Sequence, residues 1–523
     1  MGSYVLAAVD ASGIQNYVFG TNSLKQNTGA SFLVNCATRD WALRALPEKN
    51  NIQEFDHRKM QYTSQEIETD SDLEAEVIFS GGGNFVVLFR DETLAKDFAW
   101  SLSSKVQMEA PGLHIIIEWV SFEWEKSAIG GEDGVFQQLM KKIAKRKLDP
   151  IQYNEMPGLG VTAQCIYTGM PATGVDEGKL VSAEVQAKLD HEKAGHERLT
   201  EMVDLGDYKE LPKQFDEIGQ GSEESNYIAI VHTDGNNMGR RRTALLERYD
   251  APKADNRACV DALRSFSISV QKASIASLQT LINTLRTYSE RNNVQNDRLP
   301  FRPIVFGGDD STFVCSGELG LALAARHLQA LSEHTLLDRK PLYCHCGVAI
   351  VKTHYPFSRA YALAEELSRT AKEYILASGK EISALDWHVA TAGIESGLRE
   401  IRDWQYHTKA GNLLMRPIQV AGVKYDWRNW ETFSELIEAF QSEKFFGGHR
   451  NQLYPLEEAL RKGKKSVAYF LATNNADIRN LPEIHTPEDI QFSGWKEFQE
   501  ARCAYYDAIE AFDFYIALPS KEG

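Results

Sequence analysis

The chain has 523 residues, 43% of them hydrophobic, and its formal net charge is −16. This length predicts three or four domains with sizeable cores, and the negative charge argues against a broad surface that attracts nucleic acid. The seven cysteines form no Cys-x-x-Cys pair, so a zinc ribbon is not expected. No apolar run is long enough for a membrane and no signal peptide opens the chain, so we expect a cytoplasmic protein without a membrane partner.

Residues 1–129 predict a first palm domain. Their strand and helix patterns follow the order β-α-β-β-α-β, which is the ferredoxin-like plan used by polymerase and cyclase palm domains. The predicted elements are strand 4–9 ending at Asp10, helix 29–46, strands 76–80 and 85–89 around a glycine-rich turn, helix 91–107 and strand 113–120.

Residues 130–225 lack a clean strand pattern and predict a mostly helical insert. A basic helix is predicted at 137–147, and a charged helical stretch at 179–203. The basic run is typical of a solvated helix face, although contact with phosphate or RNA is an alternative. The small polar stretch 219–225 indicates a linker.

Residues 226–395 repeat the first pattern and predict a second palm domain. A strand at 227–233 ends at Asp234, as the first strand of the chain ends at Asp10. The distance from Asp10 to Gly81 is 71 positions, and from Asp234 to Gly307 it is 73. Matching spacing of this kind indicates an internal duplication.

The rest of the chain, 396–523, predicts a helical C-terminal domain that serves for packing or for docking a partner. We therefore expect an α+β protein: two ferredoxin-like (βαββαβ) palms in tandem, with a helical insert between them and a helical C-terminal domain.

The most informative stretch is a predicted hairpin whose turn, Gly307–Asp310, we call the acidic turn. Its strands flank Gly307, Gly308, Asp309 and Asp310. The two glycines leave room for a phosphate or a metal ion. The adjacent carboxylates repel each other by about 3 kcal/mol at an effective dielectric constant of ~20, and a divalent cation would remove that repulsion. The first palm has Gly83 and Asn84 at the matching positions, so we expect it to hold a ligand without catalysing.

In a ferredoxin-like sheet the end of the first strand lies beside the central hairpin, so Asp234 should face Asp309 and Asp310. Three carboxylates from adjacent strands predict a site for two ions, Mg²⁺ or Mn²⁺, and hence phosphoryl transfer. The turn that follows Asp234 exposes N–H groups that could hold phosphate. The predicted nucleotide-binding residues of this palm are Gly235, Asn236, Asn237, Gly307 and Gly308, with Lys352 and Lys372 as counter-charges.

An ordered set of motifs carries a family resemblance. It comprises Gly13-Ile14-Gln15, Gly29-Ala30-Ser31, Asp234-Gly-Asn-Asn-Met-Gly239, Gly307-Gly-Asp-Asp310, Gly347-Val-Ala349, Ala364-Glu365, Ala371-Lys372 and Ser383-Ala-Leu-Asp-Trp-His388. With this set the chain resembles the large palm-domain subunit of type III CRISPR effector complexes of the Csm and Cmr kinds. The resemblance covers both predicted palms and is weaker elsewhere.

The resemblance implies an antiviral enzyme that makes cyclic oligoadenylates from ATP on paired palms. It implies that Asp234, Asp309 and Asp310 are metal ligands. It also implies other type III CRISPR subunits and guide or target RNA as partners. The first palm would hold the acceptor nucleotide through Ser80, Gly81, Gly82 and Asn84.

Three departures from the family pattern stand out. No His-Asp dipeptide occurs and the first palm starts at the N-terminus, so a reduced form without the HD nuclease domain is expected. A four-cysteine zinc element is missing from the sequence, and Asn236 replaces the second acid of the usual D-x-D-N turn. Two alternatives remain open: a mainly structural palm subunit in a CRISPR ribonucleoprotein, and a GGDEF-like nucleotide cyclase.

Overall fold

A computed structural model of the protein describes most of the chain. The described residues are 3–56, 60–148, 160–218, 226–294, 297–390, 397–442, 450–473, 481–482, 495–496 and 501–519. The predicted linker 219–225 lies outside them. None of the helices in these ranges is both long and apolar enough to cross a membrane.

The first region forms a four-stranded antiparallel sheet in the order β4-β5-β1-β6. Residues on alternate sides of β1 enter two different cores: Val5 and Val9 pack on one face, and Leu6 packs on the other. Its elements are β1 (Ser3–Ser12), α1 (Ile14–Phe19), α2 (Leu24–Asn35), a π-helical turn (Cys36–Asp40), α3 (Trp41–Arg44), β2 (Ile52–Phe55), β3 (Met60–Tyr62), β4 (Ala75–Gly81), β5 (Asn84–Phe89), α4 (Glu92–Glu109) and β6 (His114–Glu123).

The insert is helical with one small hairpin. The basic helix is present, but the stretch 179–203, predicted as helix, begins as a strand because Lys179–Val181 pairs with Gly174–Asp176. The elements are α5 (Val135–Lys147), β7 (Gly174–Asp176), β8 (Lys179–Val181), α6 (Ala183–Asp190), α7 (Glu192–Met202) and a 3-10 turn (Phe215–Glu217).

The second region repeats the strand and helix order of the first. Every residue of β11 and all but two of β9 are buried, because this sheet is covered on both faces. The elements are β9 (Tyr227–Gly235), α8 (Met238–Leu246), α9 (Asn256–Asn292), β10 (Phe301–Val305), β11 (Ser311–Ser316), a 3-10 turn (Gly317–Leu319), α10 (Gly320–Ser332), β12 (Cys344–Lys352), α11 (Phe357–Ser378) and β13 (Ile382–Ala390).

The C-terminal region is not purely helical, which corrects the prediction of a helical domain. Its strand β16 pairs with β13 and completes a six-stranded sheet in the order β10-β11-β9-β12-β13-β16, while four short strands form a separate small sheet. The elements are α12 (Leu398–Gln405), β14 (His407–Thr408), β15 (Gly411–Asn412), β16 (Ile418–Gly422), α13 (Trp430–Gln441), α14 (Arg450–Lys462), α15 (Lys464–Thr473), β17 (Trp495–Lys496), β18 (Arg502–Cys503), α16 (Tyr506–Glu510) and a 3-10 turn (Phe512–Phe514).

The two large sheets pack into a common structure. Apolar residues from both, among them Val9 and Ile230, share one core. On the other side, Arg257 and Arg264 of α9 reach the fully buried Glu76 of β4, with nitrogen–oxygen distances of 2.7 and 2.8 Å. Burial alone would raise the pKa of Glu76, but its contacts with Arg257 and Arg264 lower it below the usual value. The carboxylate therefore stays charged and ties the two regions together.

Candidate active site

The three predicted carboxylates lie on neighbouring strands of the second sheet. Asp234 is near the end of β9, and the acidic turn leads directly into β11. The first residue of β11, Ser311, is paired with Thr233, which places Asp310 next to the strand end that carries Asp234. The structure thus brings together the residues that the sequence pattern predicted would meet.

Gly235 allows Asp309 to approach the end of β9. A Cβ atom at residue 235 would lie 2.9 Å from the Asp309 Cβ and 3.4 Å from its Oδ2. The first distance is too short for any side chain, so glycine is required here unless Asp309 moves. Its position therefore serves the acidic turn, in addition to any role at a phosphate.

Burial and mutual repulsion keep these carboxyl groups from ionising easily. Burial raises the pKa of Asp234, and the positive charge of Lys372 opposes the rise. For Asp309, burial and the charge of Asp234 raise the pKa, while Arg242 lowers it. Burial, Asp234 and Asp309, together with Glu365, raise the pKa of Asp310 well above 3.8. A cluster of acids in this condition gains most from a cation.

Asp310 has one oxygen that the protein leaves unsatisfied. Its side chain is 43% exposed, but Oδ1 is enclosed and accepts no hydrogen bond among the described residues. Nδ1 of His232 is 3.5 Å away, and burial followed by the charge of His345 lowers the pKa of His232 to about 4, so this imidazole is neutral. An enclosed carboxylate oxygen without a donor is the kind of group that a cation satisfies.

The residues present fit a hydrated divalent cation. Within the described ranges, no three His, Cys, Asp or Glu side chains are gathered closely enough to hold an ion by themselves. Mg²⁺ commonly takes one or two carboxylates and completes its shell with water and substrate phosphates. Asp234, Asp309 and Asp310 supply hard oxygen ligands of the right class, so the metal prediction remains compatible with the geometry.

The acidic turn packs directly against the corresponding turn of the first sheet, Gly81–Asn84, which we call the glycine turn. A Cβ atom at Gly308 would lie 3.0 Å from the Gly82 Cα, and one at Gly82 would lie 3.9 Å from Asp309 Oδ1. Gly82 and Gly83 have φ angles of 58° and 76°, which glycine adopts without strain. The two turns can meet because the residues in contact, Gly308 and Gly82, have no side chain.

Two cavities flank the paired turns, one on each side. The larger measures 410 Å³ and lies between α1, α2 and both turns; the smaller measures 280 Å³ and lies between α8, α9 and both turns. Asp309 lines both, and Asp310 lines the larger. The larger also contains Ser80, Gly81 and Gly82, and the smaller contains Asn84.

Two of the side chains predicted to bind the nucleotide, Ser80 and Asn84, instead make hydrogen bonds within the protein. The Ser80 hydroxyl donates to the carbonyl of Thr38, and the Asn84 amide donates to the carbonyl of Gly82. Ser80 thus joins β4 to the π-helical turn, and Asn84 stabilises the glycine turn itself. Asn236 behaves similarly, because its amide nitrogen donates to the carbonyl of Ile382 at 3.0 Å. An ionised aspartate at 236 has no N–H group to donate and could not make that bond.

Lys372 and Lys352, predicted together as counter-charges, are far apart. Lys372 is an exposed residue of α11, and its positive charge lowers the pKa of both Asp234 and His345. Lys352 is paired with Tyr227, at the opposite end of β9 from Asp234. Seven residues of extended strand separate it from the site, roughly 23 Å. We therefore remove Lys352 from the predicted nucleotide-binding residues.

The first sheet has a close ion pair at the position where, among the described residues, Asp234 of the second sheet has no lysine or arginine within ion-pair distance. Lys147 Nζ lies 2.7 Å from Asp10 Oδ1, at the end of β1. Asp10 is paired with Asn84 of the glycine turn, as expected for the counterpart of Asp234. The local sequence does not predict this pair, because Lys147 is 137 positions from Asp10 and the basic run of α5 predicts only a solvated helix face.

Arg242 of α8 is a further residue of the site. It lines the smaller cavity, its charge acts on Asp309 and Asp10, and its guanidinium lies 5.3 Å from the centre of the Phe136 ring. The two preceding arginines point elsewhere: Arg241 forms a bidentate pair with Asp338, and Arg240 lines a third cavity. Three consecutive identical residues on a helix face different directions, which composition alone does not reveal.

No protein-family model and no curated protein matches the chain. Solved structures do match. They include Csm1 of T. onnurineus (15% identity, covering 93% of this chain and 66% of that one, TM-score 0.51), a chain of a Csm1–Csm4 cassette in complex with cA3 (14%, 98% and 69%, 0.52) and a chain of a Csm1–Csm4 cassette in complex with pppApA (14%, 93% and 63%, 0.48). The chain thus spans about two thirds of the length of these structures. At such low identity the likeness concerns the fold alone, and the fold of this chain is similar to that of Csm1.

Proposed function

We propose that this protein is a metal-dependent nucleotidyltransferase that makes cyclic oligoadenylate from ATP. In this proposal the two sheets are tandem ferredoxin-like palms, and the paired turns between them form the active site. The observation that carries the proposal is the convergence of three carboxylates, Asp309, Asp310 and Asp234, at the place where the acidic turn meets the glycine turn. The similar cassette structure, described as a complex with cA3, adds support through its fold.

The two cavities suit two nucleotides that react with each other. One lies on each flank of the paired turns, and both reach Asp309. In each transfer the 3′-hydroxyl of one nucleotide loses its proton and bonds to the α-phosphorus of the other, while the bond to the β-phosphate breaks and pyrophosphate leaves. A bound Mg²⁺ or Mn²⁺ pair would lower the pKa of the attacking hydroxyl and offset the charge of the leaving group.

The protein's own residues divide this work between the two regions. Asp309, Asp310 and Asp234 would hold the ions, and Lys372 would lie against the triphosphate of the nucleotide that is attacked. The glycine turn admits the acceptor from the other side because it carries no side chain at residues 81–83. Gly307 and Gly308 keep the second palm equally open, and the N–H group of Asn237 remains a candidate for a phosphate contact. The N–H group of Asn236 does not, because it donates to the carbonyl of Tyr343 at 2.9 Å.

A role as a subunit of a type III CRISPR complex is part of the proposal. The similar structures include a Csm1–Csm4 cassette, so a Csm4-like subunit is the first partner to test. The absence of a nuclease activity, predicted from the missing His-Asp dipeptide, stays a prediction.

The proposal is tested by incubating the purified protein with each nucleoside triphosphate, with Mg²⁺ or Mn²⁺, and identifying products by mass spectrometry. We expect cyclic adenylate from ATP, with pyrophosphate released in equal amount to the bonds formed. If the protein alone is inactive, the same assay is repeated with a co-expressed Csm4-like subunit and target RNA. Products that contain guanine only would support a GGDEF-like cyclase, and no product under either condition would support the structural role.

A further inference from the structure

A third cavity lies next to the candidate active site, on the far side of the turn that follows Asp234. It measures 320 Å³ and is bounded by α8, the segment before β12 and the C-terminal end of α11. Asn236 and Asn237 form the wall that it shares with the turn. Asp234, Asp309, Asp310 and Lys372 do not line this cavity, so it is distinct from the carboxylate cluster.

The cavity carries an excess of positive charge that the protein does not neutralise. Arg240 belongs to α8, Arg248 lies in the turn just after the end of α8, and Lys380 follows the end of α11 on the other side. All three are exposed, and none has an acidic partner within ion-pair distance in the described part of the chain. Three unpaired cations around one cavity contrast with a chain whose formal net charge is −16.

The acidic residues at the cavity are already committed to other partners, and they hold its walls. Asp338 receives two hydrogen bonds of 2.7 Å from Arg241. Glu381 lies 2.6 Å from Lys340 across the mouth. The first pair fixes α8 against the segment before β12, and the second joins that segment to the residues after α11. The cavity is thus preformed, with its free charges positive.

We infer that this cavity binds a phosphate chain of the di- or triphosphate class. Guanidinium groups match phosphate oxygens in paired hydrogen bonds, and two arginines at separate positions in the lining of one cavity suit an extended anion better than a single carboxylate. The inference rests on the proposed function for the source of its ligand, because each transfer from ATP releases pyrophosphate beside the shared wall. A linear oligoadenylate that retains its 5′-triphosphate carries the same chemistry and is the second possible source.

The test measures binding of inorganic pyrophosphate and of inorganic triphosphate to the full chain by calorimetry, without ATP and with a chelator present. We expect both to bind, and we expect Arg248→Gln with Lys380→Gln to weaken binding by at least about tenfold. Lys465→Gln, an exposed lysine elsewhere, is the matched control and should leave the affinity unchanged. Binding of pppApA is then compared with binding of its dephosphorylated form. A site for the 5′-triphosphate of an oligoadenylate should bind pppApA and not the dephosphorylated form, whereas a site for pyrophosphate alone should bind neither.

Two further variants separate this inference from the proposed function. Asp309→Asn with Asp310→Asn should leave pyrophosphate affinity within about threefold of the wild type, even if synthesis is lost, because neither residue lines the cavity. Lys372→Gln should also leave the pyrophosphate affinity within about threefold of the wild type. The inference is overturned if the wild type does not bind pyrophosphate, or if Lys372→Gln abolishes binding while Arg248→Gln with Lys380→Gln does not.

Discussion

The ends of β1 and β9 show how the same arrangement can be made inert or reactive. Both strands end in an aspartate beside a hairpin turn, but the first pairs Asp10 with Lys147 at 2.7 Å, whereas the second surrounds Asp234 with two further acids. The first arrangement is internally neutral and needs no ligand. The second holds like charges together in a partly buried place, which costs stability until a cation arrives. Under the proposed function, a group of acids without a close cationic partner, more than the fold of the turn, marks the reactive side.

The largest effect should come from removing the acids of the acidic turn. Asp309→Asn with Asp310→Asn keeps the shape and removes two negative ligands, so product formation should fall at least about a hundredfold. The rate of pyrophosphate release measures this. The matched change on the inert side, Asp10→Asn, should reduce the rate by less than about fivefold. Equal losses from the two variants would contradict the assignment of the reactive side.

A smaller loss is expected from filling the glycine turn. Gly81 lines both cavities and has no positive φ, and a Cβ there would lie only 3.5 Å from the Ser267 hydroxyl, an ordinary contact. Gly81→Ala should therefore be tolerated, and Gly81→Trp should lower synthesis by at least about tenfold by blocking the acceptor. Circular dichroism and melting of both variants show whether they fold. Full activity of a folded Gly81→Trp protein would refute the paired arrangement.

The pH dependence of stability should differ between the wild type and the acidic-turn double variant. Burial and mutual repulsion raise the pKa values of Asp309 and Asp310 above 3.8, so the folded metal-free protein binds protons more tightly than the unfolded chain does. Their contribution is therefore fully present at low pH, below the unfolded pKa, and is lost as the pH rises through the folded pKa values.

Urea unfolding between pH 4 and pH 8, with a chelator, measures this effect. Across that range the free energy of unfolding of the wild type should fall relative to that of Asp309→Asn with Asp310→Asn. In a separate thermal melt at neutral pH, the variant should melt at or above the wild-type temperature. A double variant that is less stable than the wild type at pH 8 would show that the acids are structural.

The smallest effect concerns the inert side. Lys147→Met leaves Asp10 without its cation, but the lysine side chain is 42% exposed, and such ion pairs contribute about 0–1 kcal/mol. We expect a melting temperature within a few degrees of the wild type and a change in synthesis of less than about threefold. A loss comparable to that of the acidic-turn variant would mean that Lys147 touches a substrate.

The repeated strand order and the meeting of Asp234 with the acidic turn could be predicted, because strand ends and turns leave local signals. Contacts between residues far apart in the chain leave no such local signal in the sequence. Asn236 binds the Ile382 carbonyl 146 positions away, and Lys147 lies 137 positions from Asp10. The error at Lys352 has another cause: β12 runs antiparallel to β9, so its C-terminal end lies at the sheet edge away from Asp234. The C-terminal region was predicted as helical because strands of two residues, such as Arg502–Cys503, are too short to show a period.

Binding of Mn²⁺, counted by electron paramagnetic resonance with a non-hydrolysable ATP analogue, tests the central claim most directly. The wild type and Asp10→Asn should bind the ion with similar affinity, and Asp309→Asn with Asp310→Asn should lose this binding. Retention of the same number of bound Mn²⁺ ions by the folded double variant would contradict the claim that the acidic turn is the reactive side of the paired site.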